Sequence, residues 1–286
     1  MRGIETVGIT TKEESLNKLK YDTIELQLQN LKNNSKYINL ELQRIYDQVS
    51  HVRLVTEGLY SETYSINNIE ADIGLVKDQK GFYWTPIDNQ DRSGIFISSG
   101  VAIDSKIRQD IKISSFLEPI FKNIIQNNNN VDAIYFMTTD NLTRIYPQIN
   151  FPDLVERGRI PAEMNCYDYP FFYTVDPLNN PEKKIKWTDT YFDVTDKGWM
   201  VTCLAPVYLP NNKFKGIIGI DITIKNLKQN IVNKNIENSQ LYTLLLDNKG
   251  NNVIYPYEEQ KELFHLSAVN KNTAFSANKN TALDHL

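Results

Sequence analysis

Apolar residues recur at helical spacing near the start of the chain: Leu16 and Leu19, then Ile24, Leu28 and Leu31, then Ile38, Leu42, Ile45, Val49 and Val52. Steps of three, four and seven residues put such positions on one stripe of an α-helix. From Lys12 to Tyr60 there is no proline, and Gly58 is the only glycine. The pattern predicts one amphipathic helix of about 70 Å at 1.5 Å per residue, with Asn33-Asn34-Ser35 as a candidate break. A rod of that length exceeds what one globular domain needs. It is expected to run beside two stacked modules or against a partner helix, as a scaffold and as a dimer interface.

Beyond Tyr60 the texture changes to strand-like runs separated by turn residues. Ile107, Ile111, Phe116, Ile120 and Ile124 give residues 106–126 a helical period, with Pro119 as a kink or boundary. Four asparagines, Asn127 to Asn130, precede Val131–Met137, which is rich in β-branched and aromatic residues and reads as a strand. Thr139-Asp140-Asn141 is turn chemistry, and Thr143–Pro147 answers as the hairpin partner. A proline- and aromatic-rich loop follows, then three strand candidates, Trp187–Phe192, Trp199–Tyr208 and Gly216–Ile224. Pro210-Asn211-Asn212 is a hairpin signal between the last two. A helix over Lys225–Asn238 and a new hairpin, Leu241–Gly250 with Asn251–Tyr255, complete the pattern. Ile134–Pro147 and Leu244–Pro256 both end in Ile-Tyr-Pro, which reads as a weak internal repeat. These elements predict an α+β chain with a scaffold helix over 1–65, a sensor-type module over 66–240 and a short second module over 241–286.

Composition narrows the function classes. The chain has 286 residues, 41% hydrophobic and 23% charged, with a net charge of −4, so neither a disordered chain nor a nucleic-acid-binding footprint is expected. Its longest apolar run, around Gly216–Ile222, falls far short of the roughly 20 residues that span a bilayer. No basic segment followed by an apolar one opens the chain, so the sequence reads as cytoplasmic or as a segment cut from a larger membrane protein. With two cysteines only, Cys166 and Cys203, a disulfide scaffold is excluded; one bridge or two buried free thiols remain, the second being the preferred reading. His51, His265 and His285 are scattered, and no nucleophile elbow, phosphate loop or zinc-protease motif occurs, so neither catalysis, cofactor nor metal is expected.

Several pieces in a fixed order carry a resemblance: Tyr135-Phe136 through Arg144-Ile145-Tyr146-Pro147, then Trp187 with Tyr191 and Asp193, then Val201-Thr202 with Pro206-Val207-Tyr208, then Phe214-Lys-Gly216-Ile-Ile-Gly219-Ile-Asp221-Ile222. Over residues 12–256 the sequence resembles the double Cache family, the tandem PAS-like ectodomains of prokaryotic receptors such as histidine kinases and chemoreceptors. The resemblance implies a ligand-binding membrane-distal module, a membrane-proximal module that is short or truncated here, and a long N-terminal helix leading from a membrane anchor. It implies an extracytoplasmic location, a small-molecule ligand and a homodimer through the N-terminal helix.

The same resemblance points to a pocket. In relatives that bind amino acids, an arginine-bearing segment grips the carboxylate, while a Tyr-x-Asp and the Asp of the last strand hold the ammonium. Tyr191, Asp193 and Asp221 match the ammonium half. The carboxylate half falls near Tyr169-Pro170-Phe171-Phe172, where the arginine is absent. Two carboxylates beside an aromatic wall formed by Tyr135, Tyr169, Phe171 and Phe172 suit a cation, through charge-assisted hydrogen bonds and cation–π contact. A small amine or other cationic or polar metabolite is therefore expected. Arg144 is the candidate for restoring the missing positive charge. Asp193 has a second reading as a turn organiser, whereas Asp221, set among apolar neighbours, needs a donor or a ligand. Against the sensor stands a protein–protein module whose pocket is vestigial.

Overall fold

The computed structural model describes residues 2–61, 74–88, 91–227, 245–246 and 252–254, with side chains over 12–61, 74–88 and 91–227. Residues 43–237 form one compact unit, and residues 1–42 with 238–285 form another.

Helix α1 spans Arg2–Ser61, and Asn33-Asn34-Ser35 does not interrupt it. Asn and Ser cost a helix only a few tenths of a kcal/mol each relative to the best formers, and Gln29 donates to Asn33 Oδ1 at 3.1 Å, an i,i+4 tie along the same surface. Between residues 43 and 61 the predicted stripe is buried, since Ile45, Val49, Val52 and Thr56 expose nothing. Upstream, Leu19, Ile24 and Leu28 of the same pattern are exposed.

Nine strands make one antiparallel sheet in the order β1-β2-β3-β5-β4-β9-β8-β6, with β7 also paired to β8. They are β1 (Val76–Lys77), β2 (Tyr83–Trp84), β3 (Gly94–Ile97), β4 (Ala133–Thr138), β5 (Leu142–Tyr146), β6 (Lys186–Trp187), β7 (Tyr191–Phe192), β8 (Trp199–Tyr208) and β9 (Phe214–Thr223). The predicted 106–126 helix is two helices, α2 (Ser105–Ser115) and α3 (Glu118–Asn127), with Pro119 in the first turn of α3. Proline fits there because its missing N–H has no helical partner to lose. Likewise the predicted strand Trp187–Phe192 is two, β6 and β7. Both hairpin turns expected from sequence form, with Asn141 and Asn212 at φ 57 and φ 65 in the left-handed region that asparagine tolerates. The 225–238 helix begins within the described residues, at 224, and its remainder lies outside them.

Alternation sends successive side chains to opposite faces of the sheet. One face packs on α2, α3 and residues 43–61 of α1, where the Tyr60 ring lies 6.2 Å from that of Phe136. The other face carries Tyr135, Met137, Ile145 and Ile217, covered by α4 (Phe151–Glu156), α5 (Pro170–Tyr173) and the loops around them. Cys166 and Cys203 are buried free thiols, and burial pushes the Cys166 thiol up to about 12, which makes it a poor nucleophile.

A β-bulge breaks the alternation once. Tyr208 pairs with Phe214 and Val207 with Gly216, so Lys215 is the extra residue on β9 and turns to the helix face. There its ammonium lies 2.5 Å from Asp110 of α2, and the Tyr60 hydroxyl donates to the same carboxylate at 2.8 Å. Asp140, 3.4 Å from Lys215 and 2.5 Å from Lys106, extends the network to the surface. Burial raises the Asp110 carboxyl above its ordinary range, with Lys215 opposing.

In the second unit, the expected hairpin is present as β10 (Leu245–Leu246) paired antiparallel with β11 (Asn252–Ile254); the rest of 241–286 lies outside the described residues.

Removing one partner of a buried ion pair leaves the other charge unpaired, at about 3–5 kcal/mol. Lys215→Met is therefore expected to lower unfolding free energy by about 3 kcal/mol, while the exposed Lys106→Ala costs under about 1 kcal/mol. Urea denaturation of the two variants checks this ordering.

Candidate functional site

Asp221 lies in β9, every position of which is buried, opposite Thr202 on β8 and Ala133 on β4. A carboxylate in that setting must find donors. Thr202 Oγ1 donates to Asp221 Oδ1 at 2.7 Å. Because the threonine proton is committed, Tyr191 is the donor in its 2.7 Å contact with Thr202 Oγ1. A relay from Tyr191 through Thr202 to Asp221 results. Burial pushes the Asp221 carboxyl up to about 7; Thr202 and Lys197 oppose the rise, while Asp193 and Asp132 add to it.

Asp193 organises a turn and also lines a cavity. Its Oδ2 accepts from the Thr195 hydroxyl and from Lys197 N, and its N–H donates to Gly198 O at 2.9 Å, so it organises the turn between β7 and β8. The same residue lines the cavity into which Asp221 faces. Asp196, with φ 65 in that turn, pairs with Arg157 at 2.8 Å and with Arg159, tying the turn to the chain just beyond α4.

The cavity encloses about 650 Å³ of empty space, its open mouth included. At one end stand Tyr135, Tyr191, Asp193, Thr195, Lys197 and Asp221; away from them the wall is Phe96, Ile145, Ile149, Phe151, Ile160 and Met164. Lys197 Nζ donates to Asp132 O at 3.0 Å on the exposed rim. The Tyr135 ring crosses β9 directly over Gly219, where a Cβ would stand 2.4 Å from the ring. Its hydroxyl is buried and makes no hydrogen bond of good geometry among the described residues, although Asp221 and Thr202 are close enough to act on it. Burial holds this phenol, like that of Tyr191, protonated far above the ordinary range.

Five of the eight residues singled out from sequence converge here: Tyr135, Phe171, Tyr191, Asp193 and Asp221. Phe171 meets Tyr135 edge-on at 6.2 Å, and Tyr169 stacks behind Phe171 at 4.9 Å without lining the cavity. Phe172 is wholly buried against Tyr167 and Phe214. Arg144 does not supply a cavity charge. Its position on β5 turns it to the helix face, where it donates to Ser114 Oγ at 2.9 Å, Ser93 Oγ at 2.6 Å and Ile111 O at 3.1 Å. The sequence reading missed Lys197 and Thr195, which carry no motif of their own; Thr202 and Gly219 lie in strand motifs it noted, but their roles beside Asp221 and beneath the Tyr135 ring were missed. It also missed the apolar end, to which the 147–164 segment adds Ile149, Phe151, Ile160 and Met164. Among the described residues no group of three or more His, Cys, Asp or Glu is placed to hold a metal ion, and no helix is long and apolar enough to cross a membrane.

Gly219→Ala is expected to displace Tyr135 and lower unfolding free energy by about 1–3 kcal/mol, as overpacking does. Thermal melts read the loss, and pairing it with Tyr135→Ala, which removes the ring, recovers part of it.

Residues 117–229, which hold β4 through β9, match the family described as "Methyl-accepting chemotaxis protein-like, first PDC sensor domain". Curated proteins give no match to the chain. Similar solved structures include the Pseudomonas aeruginosa PAO1 amino-acid chemoreceptor PctB with L-Arg, at 11% identity and TM-score 0.38, covering 76% of this chain and 66% of that one. PctC of the same organism with GABA has 12% identity and TM-score 0.39, covering 79% and 74%. The Pseudomonas fluorescens chemoreceptor CtaA with L-serine has 15% identity and TM-score 0.37, covering 51% and 54%. The chain thus spans just under two thirds of the PctB domain and about half of the CtaA domain. Likeness at this level carries no weight for what binds. The segment that carries the cavity's polar end, residues 117–229, is thus similar to a PDC sensor domain of the chemotaxis-receptor-like kind.

Proposed function

We propose that the chain is the extracytoplasmic ligand-sensing region of a membrane-anchored receptor, with no catalysis of its own, and that its cavity takes a small molecule through an ammonium group. One observation carries this reading: Asp221 and Asp193 converge, with Tyr191 and Tyr135, at one end of an open cavity that no arginine lines. With Asp221 ionised, two carboxylates against one lysine leave that end with a net charge of −1. Lys197 spends one donor on Asp132 O, so the cavity's negative charge favours a cationic guest. The relay through Thr202 fixes Asp221 Oδ1, and two neutral phenols add polar edges and π-faces suited to an ammonium. A vestigial pocket is the competing reading, and the two carboxylates that face the cavity weigh against it.

In mechanism, ligand binding stabilises one arrangement of the walls around β9. A ligand moves such a balance only by its differential affinity for the two states. The helix after β9 and α1 are the elements through which the bias passes toward the membrane, and dimerisation through α1 would use its exposed apolar positions, Leu19, Ile24 and Leu28 among them.

Calorimetry against amines, amino acids and organic acids tests the ligand class. Clear binding of an anionic carboxylate with no amine response overturns the reading. An ammonium ligand needs Asp221 ionised, so affinity is expected to rise about tenfold between pH 6 and pH 8 around a carboxyl of pKa about 7, and Asp221→Asn should abolish both binding and pH dependence. The empty protein obeys the opposite sign. A carboxyl raised in the folded state keeps its proton better there than when unfolded, so stability is fullest below pH 4 and is lost as pH rises toward 7. Asp221→Asn is expected to raise the Tm of the empty protein at pH 8, by at most about 4 kcal/mol of stability, and to leave it unchanged at pH 4.

A further inference from the structure

We infer that the preferred guest is a primary monoamine carrying an apolar tail, in preference to a diamine, a short amine or an α-amino acid. This rests on the reading of the cavity as a ligand site and goes further, because it uses the part of the wall that the ammonium does not touch. The charged groups among the lining residues are Asp193, Lys197 and Asp221, and all three stand at one end. The opposite wall is built from Ile145, Ile149, Phe151, Ile160 and Met164, with the Thr143 hydroxyl as its one polar group and no charge.

Sheet register sets the distance between the two ends. Asp221 and Gly219 share the cavity face of β9; Gly219 pairs with Tyr135 on β4, and Tyr135 pairs with Ile145 on β5. Ile145 therefore lies two strand spacings across, about 10 Å, and two residues along, about 7 Å, from Asp221, a backbone gap of about 12 Å that the two side chains and a tail of roughly six carbons bridge together. Phe96, one strand further on β3, stacks on Phe151 at 5.0 Å and closes that end. A second ammonium arriving there would lose its hydration with no carboxylate to meet. A short amine would leave the apolar wall uncovered. A zwitterion would add a negative charge to an end already at −1, where Lys197 is the single lining cation and is held on the rim by Asp132 O.

Titration calorimetry of the whole chain at pH 8 with n-alkylamines from methylamine to hexylamine tests this. Affinity should rise roughly fourfold for each added methylene. Hexylamine should exceed 1,6-diaminohexane, and isopentylamine should exceed leucine, each by at least tenfold. Ile149→Ala, at a half-buried position that perturbs folding little, should weaken hexylamine about tenfold and leave methylamine unchanged. A flat alkyl series, a diamine equal to hexylamine, or leucine tighter than isopentylamine would each overturn the inference. If that happens while Asp221→Asn still abolishes binding, the ammonium site stands and the tail preference alone falls. If neither amines nor amino acids bind, both fall together.

Discussion

β9 is paired on both edges, to β4 and β8, and is buried at every position, so its side chains meet solvent little, Asp221 through the cavity. Placing a carboxylate on such a strand is expensive unless its neighbours are built around it. Thr202, Tyr191, Tyr135 and the 193–198 turn are that construction. The threonine donates to Asp221 and accepts from Tyr191, while Tyr135 reaches the same corner by lying across Gly219, which has no side chain to block it. The residual cost is visible in the proton affinity of Asp221, which burial has moved to about 7.

The two faces of the sheet solve different problems. On the helix face, buried charges are internally matched: Lys215 with Asp110, and Arg144 with hydroxyls and a carbonyl, with Glu118 3.7 Å away. That face has no cavity charge to offer a guest, and its polar groups hold helices to the sheet. On the cavity face the charges do not cancel, and the wall beyond them is mostly aromatic and aliphatic. A pocket divided in this way selects by polarity along its length, since each end rejects what the other accepts.

Much of this was legible in the sequence because local rules agreed with the final fold. The three- and four-residue spacing of α1, the Asn-rich turns and the long alternation-free run of β9 each have a short-range cause. Asp221 stood out because a carboxylate amid isoleucines and glycines has few innocent explanations. What sequence did not carry was parity and distance. Arg144 reads as a cavity residue until the β5 register turns it to the other face, and Thr202 is only part of a strand motif until β8 brings it opposite Asp221. The split of the 106–126 helix at Pro119 and the division of β6 from β7 depend on packing that no window of residues contains. Much of the apolar half of the cavity, Ile149, Phe151, Ile160 and Met164, comes from 147–164, a stretch whose composition reads only as loop.

The bulge at Lys215 also makes the chain count. In an unbroken strand, Lys215 and Asp221 would share a face, six residues being an even number of steps. One surplus residue reverses the parity, so the same ten-residue strand delivers an ammonium to the helices and a carboxylate to the cavity. Single substitutions along β9 leave that arithmetic intact, whereas the loss or gain of one residue between the two charges would exchange the compartments they address. For this segment, length is held under a stricter constraint than side-chain identity.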